Sequence, residues 1–246
     1  MKKSLCLICL LSCLIGGAQN ELPLLKISAN RRYFQTSDGK PFFWLGDTGW
    51  LLFTKCNREE AVQYLETRKQ QGFNVVQVMV LHTLAAVNAY GDSALVNRDV
   101  ATPKLGTGQH DYWSHIDFIV REAAKRGIYI ALVPIWGGNV KDGKVSVQQA
   151  GAYAKFLAER YSRYSNIIWL NGGDIPGSEK IEVWEAIGKT IKKFDTVHLV
   201  SFHPRGRMSS SRWFHKEQWL DFNMFQSGHK DYVQDTGTTE PNHYGE

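Results

Sequence analysis

Asp174 closes the string Ile167-Ile168-Trp169-Leu170-Asn171-Gly172-Gly173-Asp174, where a continuous apolar run gives way to polar residues and glycine. Such a run reads as a strand buried on both faces of a parallel sheet, and ligands gather at the carboxyl ends of these strands. A carboxyl group placed there can deliver a proton to a reacting oxygen. The competing reading is a plain turn, with the glycines supplying positive φ and Asp174 capping the next helix. Recurrence favours chemistry: Asp47, His82, Trp136, His203 and Gln226 end other apolar runs in the same way.

Gathered around one mouth, these groups suit a sugar. Hydroxyls pair with carboxylates, Asn, His and Gln, while the C–H face of a sugar ring stacks on aromatics. Trp50 and Trp136 directly follow strand ends and are the stacking candidates, whereas Trp44 and Trp169 lie inside strands and read as core. Asp47, His82, Asn171, His203 and Gln226 are the candidate hydrogen-bonding groups. Cleavage of a glycosidic bond needs two flanking carboxyl groups, one of them an acid for the leaving oxygen. Asp174 is the candidate acid/base, and Asp47 is either a second carboxylate or a partner for a hydroxyl. A metal site built from His82, His203 and Asp174 is the alternative. No His-x-His or His-Glu-x-x-His spacing supports it, so neither metal nor cofactor is expected.

The elements that must position these groups alternate. Tyr33 to Thr36 and Pro41 to Leu45 flank Ser37-Asp38-Gly39-Lys40, a hairpin signal leading into a first core strand that ends at Gly46-Asp47-Thr48-Gly49-Trp50. Asn57 caps a helix to about Gln71, and Val75 to Val80 is the second strand. About thirty residues follow before the next helix, a length typical of functional loops. That helix carries Ile116, Ile119, Val120, Ala123 and Ala124 on one face and stops at Lys125-Arg126-Gly127. Tyr129 to Trp136 is a strand, Ser146 opens a helix to Tyr161, and the Asp174 strand comes next. Ser178 is placed to cap a further helix, His198 to Phe202 is a fifth strand, and Phe222 to Phe225 a sixth.

This order argues a parallel sheet covered by helices. A doubly wound sheet would bind at one switch point and lacks its Gly-x-Gly-x-x-Gly here. Polar tips on every strand fit an α/β fold of the (β/α)8 TIM-barrel type, with all strand ends around one mouth. After Gln226 only twenty residues remain, with Val233 the sole aliphatic one. The expectation is therefore a barrel truncated after about six β/α units, with an N-terminal β-hairpin.

With 246 residues, 43% of them hydrophobic, the chain can bury one sizeable core, so one domain is expected. Residues 1–18 read as a signal peptide: Lys2-Lys3, an apolar run from Leu5 to Ile15, then Gly16-Gly17-Ala18. The run is too short to span a bilayer. Cys13 after Leu10-Leu11-Ser12 also resembles a lipoprotein cleavage site, so an anchored form is the alternative to a periplasmic or extracellular one. The remaining divisions are a hairpin lead-in at 19–41 and a barrel at 42–246. Cys56 is the one cysteine beyond residues 1–18, which leaves no internal disulfide in the exported product. Loss of Lys2 and Lys3 lowers the formal charge from +5 to +3, with no basic run of the kind nucleic acid requires. Arg205 and Arg207 could clamp a uronate carboxylate, although a solvated loop accounts for them equally.

Three strings carry a resemblance: Trp44-Leu45-Gly46-Asp47-Thr48-Gly49-Trp50, Gly72-Phe73-Asn74-Val75-Val76-Gln77 and Asn171-Gly172-Gly173-Asp174. Together they resemble the apiosidase-like glycoside hydrolases of family 140. The resemblance implies a barrel related to retaining clan A glycosidases, with the acid/base after strand four and a glutamate nucleophile after strand seven. It also implies action on rhamnogalacturonan II, a plant pectin, by exported bacterial enzymes. Asp174 matches the acid/base position, two glycines beyond where the wider clan has Asn-Glu. No residue matches the nucleophile, since Glu240 and Glu246 come too early. The chain alone is therefore expected to lack double-displacement activity, and a non-catalytic carbohydrate-binding barrel is the competing function.

Overall fold

The computed structural model describes residues 22–228. Residues 1–18, read above as a signal peptide and carrying Cys6, Cys9 and Cys13, and residues Val233, Glu240 and Glu246 lie outside the described residues. Three short strands come first, β1 (Leu25–Ile27), β2 (Phe34–Thr36) and β3 (Pro41–Phe42), in an antiparallel sheet. The expected hairpin is the β2–β3 pair, where Gly39 adopts φ 88° and the Thr36 N–H donates to the Lys40 carbonyl at 2.9 Å. β1 adds a third strand to it.

Five parallel strands follow in chain order: β4 (Gly46–Thr48), β5 (Val75–Leu81), β6 (Tyr129–Ile135), β7 (Ile167–Ile175) and β8 (Val200–Pro204). Between them run α1 (Leu52–Lys55), α2 (Arg58–Gln70), α3 (Tyr112–Lys125), α4 (Gly137–Lys141), α5 (Val147–Tyr161) and α6 (Ile181–Phe194). Spatial order equal to chain order, with no reversal, is barrel topology rather than a doubly wound sheet. The described residues thus form an open, partial (β/α) barrel, with β4 and β8 at its two edges. Two local helix starts follow the sequence closely. Asn57 and Glu60 form a capping box on α2, and Ser146 and Gln149 form one on α5.

Alternation along each strand builds two layers. Val76, Val78, Ile130, Leu132, Ile167, Trp169, Val200 and Phe202 pack toward the helices. Val75, Met79, Tyr129, Ala131, Val133, Ile168, Leu170 and Leu199 fill the inside. The antiparallel sheet covers the amino end of this interior: Leu25 packs into it, Phe42 meets Tyr129 edge-on at 5.3 Å, and the Tyr129 hydroxyl donates to the Pro23 carbonyl.

Two expectations need correction. Ser178 does not cap α6; it lies in a turn closed by the Glu179 N–H on the Pro176 carbonyl, and Lys180 stands at the cap in a left-handed conformation, φ 58°. Phe222 to Phe225 is not a sixth parallel strand. After β9 (Met208–Ser209) and α7 (Ser211–Phe214), only β10 (Phe225–Gln226) is regular, and it pairs antiparallel with β9. Residues 221–224 do run beside β8, and the Asp221 N–H donates to the Val200 carbonyl at 2.8 Å, but beyond that bond side chains stand in for ladder partners. The Asp221 carboxylate accepts from the Val200 N–H at 2.7 Å, and the Ser201 hydroxyl donates to the Phe222 carbonyl at 2.7 Å. A parallel ladder therefore does not develop there.

Candidate active site

The mouth is set by what happens at the end of β7. Gly172 is in register with His203 and Ile175 with Pro204, so Gly173 and Asp174 are inserted between successive pairs. This bulge is written in the backbone, with φ of 91° at Gly172, 122° at Gly173 and 48° at Asp174. The glycines tolerate such angles, and the bulge turns the chain so that Asp174 alone in β7 is exposed. Its side chain is 40% accessible.

Aromatic rings gather around His203, the neighbour of this carboxyl. Trp50, after β4, lies 5.4 Å from Trp136, after β6, and 5.5 Å from the His203 ring on β8; Trp136 and His203 are 5.8 Å apart. His203 is buried, and its Nδ1 accepts from the Asp174 N–H at 3.4 Å and lies 3.8 Å from Asp174 Oδ1. Four strand ends, those of β4, β6, β7 and β8, thus bring together one acid, one imidazole and two indoles. An arrangement of this kind can stack a sugar ring and protonate an oxygen attached to it.

His82, after β5, lies outside this triangle. It lines a separate cavity of about 520 Å³ with Lys55, Asn57, Glu60 and Ala85, and its carbonyl accepts from Asn139 at 3.0 Å. Burial, aided by the charge on Lys55, holds its imidazole below the usual histidine range. A larger groove of about 1360 Å³ lies at the amino end of the sheet, lined by Leu25, Phe34, Leu199 and Phe222, away from Asp174.

Three candidate residues are not brought to the mouth. Asp47 is in register with Val76, a helix-side residue, and so faces α2. There its Oδ2 accepts from the Tyr64 hydroxyl at 2.6 Å and from Arg68 Nε. Partial burial alone raises the Asp47 pKa, but the hydrogen bonds from Tyr64 and Arg68, the Thr48 N–H and the Arg68 charge outweigh it and hold the carboxyl below the usual range. Asn171 also faces outward, in register with Phe202; its side-chain amide donates to the Trp184 carbonyl of α6 at 2.8 Å. Gln226 sits on the antiparallel β9–β10 ribbon rather than at a parallel strand tip. Trp169 and Trp44 are core, as expected: Trp169 Nε1–H donates to Asp195 at 2.8 Å, and Trp44 packs on Phe34 and Phe222.

One residue escaped sequence reasoning. Gly137 opens α4 directly against the bulge, and a Cβ there would lie 2.8 Å from Ile175 and closer still to the Gly173 carbonyl oxygen. The pair Gly137-Gly138 reads from sequence only as a turn, with nothing to separate the two.

Fold and comparison together place the chain among glycoside hydrolase catalytic domains of the (β/α)-barrel class. It belongs to the apiosidase-like catalytic-domain family, whose model matches residues 28–245. A solved structure titled glycoside hydrolase is 49% identical, with a TM-score of 0.84 over 89% of this chain and 49% of that one. Another, titled glycoside hydrolase family 5 from Bacteroides vulgatus, is 47% identical, with a TM-score of 0.82 over 88% of this chain and 46% of that one. The chain therefore spans about half the length of these relatives. An endo-1,4-beta-mannanase from Rhizomucor miehei, 16% identical with a TM-score of 0.58 over 80% of this chain and 65% of that one, shares the fold. No curated protein matches the chain. The resemblance to family 140 is corrected by these structures, since the similar enzyme that carries a family number is titled family 5. The strings that suggested family 140 are local, and Asp47 and Asn171 within them hold helices to strands.

Proposed function

We propose that this chain carries the acid/base part of a glycosidase acting on plant cell-wall polysaccharide, with Asp174 as the proton donor to the leaving oxygen. The observation that carries the reading is the displacement of Asp174 from the alternation of its strand to a position beside His203, whose ring packs against Trp50 and Trp136. Apiose-linked chains are the proposed substrate on the strength of the family's apiosidase-like description, with rhamnogalacturonan II as the pectin proposed to carry them. The signal-like residues 1–18 support export.

Sugar binding without turnover is the second reading. Among the described residues, no hydrogen bond or ion pair brings a second carboxylate to Asp174. Incubation of the chain with rhamnogalacturonan II, with released sugar and bound polysaccharide both measured, separates the two. Release that Asp174→Asn abolishes supports the glycosidase; binding without release supports the second reading. Neither release nor binding overturns both. Among the described residues no group of three or more His, Cys, Asp or Glu could hold a metal ion. Release, where it occurs, is expected to survive a chelator.

A further inference from the structure

The geometry points to Gly137 as a positioning residue that sets the direction of the Asp174 carboxyl, an inference that rests on the acid/base reading of Asp174. A non-glycine residue at φ 48° occupies a sparsely populated conformation and persists only where its surroundings over-determine it. Two contacts do so. On the β6 side, the Gly137 backbone approaches the Gly173 peptide so closely that no side chain fits between them. Trp136 covers the same peptide: a Cβ at Gly173 would lie 2.7 Å from its ring. On the β8 side, His203 Nδ1 accepts the Asp174 N–H at 3.4 Å, and the ring is held by Trp50 and Trp136. The bulge is gripped across the 173–174 peptide, so neither flanking residue can relax without turning the carboxyl.

The neighbouring glycine supplies the control. A Cβ at Gly138, in the same short helix, meets nothing within 4 Å. Any general effect of a second-position alanine on α4 is therefore shared by Gly138→Ala, and any effect on the bulge is not.

The test compares Gly137→Ala with Gly138→Ala by NMR in the full chain, reading the amide shift and the HN–Hα coupling of Asp174, which reports φ. Gly137→Ala moves both and Gly138→Ala moves neither. An unchanged Asp174 coupling in folded Gly137→Ala overturns the inference. Should Gly137→Ala not fold, His203→Leu removes the opposite grip; an unchanged Asp174 coupling there overturns it as well. If the chain turns over polysaccharide, Gly137→Ala lowers kcat by about a hundredfold and changes KM by less than about twofold, as expected when a reacting group is misplaced by a fraction of its reach. A moved coupling with no turnover even in the unaltered chain leaves the positioning intact and counts against the acid/base reading alone.

Discussion

Asp47 and Asp174 are the same residue type at the carboxyl ends of two strands of one parallel sheet, yet they do different things. Asp47 stays in its strand's alternation, which directs it to the helix side, where Tyr64 and Arg68 satisfy it. Asp174 leaves the alternation through a two-residue insertion and reaches the mouth. Because side chains alternate with a period of two, the end of a strand is not by itself a place in the mouth. The backbone decides which carboxylate stabilises the fold and which is available to substrate.

The contrast can be broken most strongly at Asp174. Asp174→Asn removes the proton but keeps the shape, and in a form of the enzyme that turns over substrate it loses about a thousandfold or more in rate, within the range for a general acid. Its Tm stays near that of the unaltered chain; a large fall in Tm would place Asp174 with Asp47 as a structural residue.

Asp47→Asn does the reverse. It leaves Arg68 and Tyr64 facing an amide in a partly buried site, and is expected to destabilise by about 1–3 kcal/mol in denaturant unfolding, with KM unchanged. The effect has a defined pH dependence. The folded carboxyl titrates below its unfolded value of about 3.9, so its stabilisation is complete above that pH and disappears as pH falls through the lower folded value. The gap between Asp47→Asn and the unaltered chain should therefore be flat from neutral pH to about pH 5 and close below about pH 4. A gap that persists at low pH contradicts the ion pair's role.

Smaller effects sharpen the mouth itself. Trp50→Ala and Trp136→Ala each lose a stacking face, and sugar affinity by calorimetry should fall about tenfold, or about 1.4 kcal/mol, with Trp136→Ala also disturbing the Gly173 peptide it covers. His82→Ala, in a separate cavity, should change the affinity for a single sugar ring less than either.

Much of this was open to inspection in the sequence because it is local. Asn57 with Glu60 and Ser146 with Gln149 announce helix starts by side-chain bonds spanning three residues. The apolar run of β6, and that of β5 broken only by Gln77, announces a strand buried on both faces. Facing is a different matter. For Asp47 and Asn171 it depends on register with β5 and β8, partners 29 and 31 positions away, and a three-residue strand such as β4 carries too few residues to reveal its phase. Gly172-Gly173 signalled an unusual backbone without saying whether it was a turn or a bulge. Likewise the residues Phe222 to Phe225 suggested a strand, while the capture of the Val200 N–H by Asp221 and of the Phe222 carbonyl by Ser201 is a tertiary event.

The most direct test of Asp174 as a proton donor compares two apiosides that differ only in the acidity of the leaving alcohol, one an aryl glycoside and the other a sugar glycoside. In a form of the enzyme that turns over both, Asp174→Asn should lose far more rate on the sugar glycoside, whose leaving oxygen needs a proton, than on the aryl glycoside, which departs without one. Equal losses on the two substrates, with affinity for both retained, would contradict it.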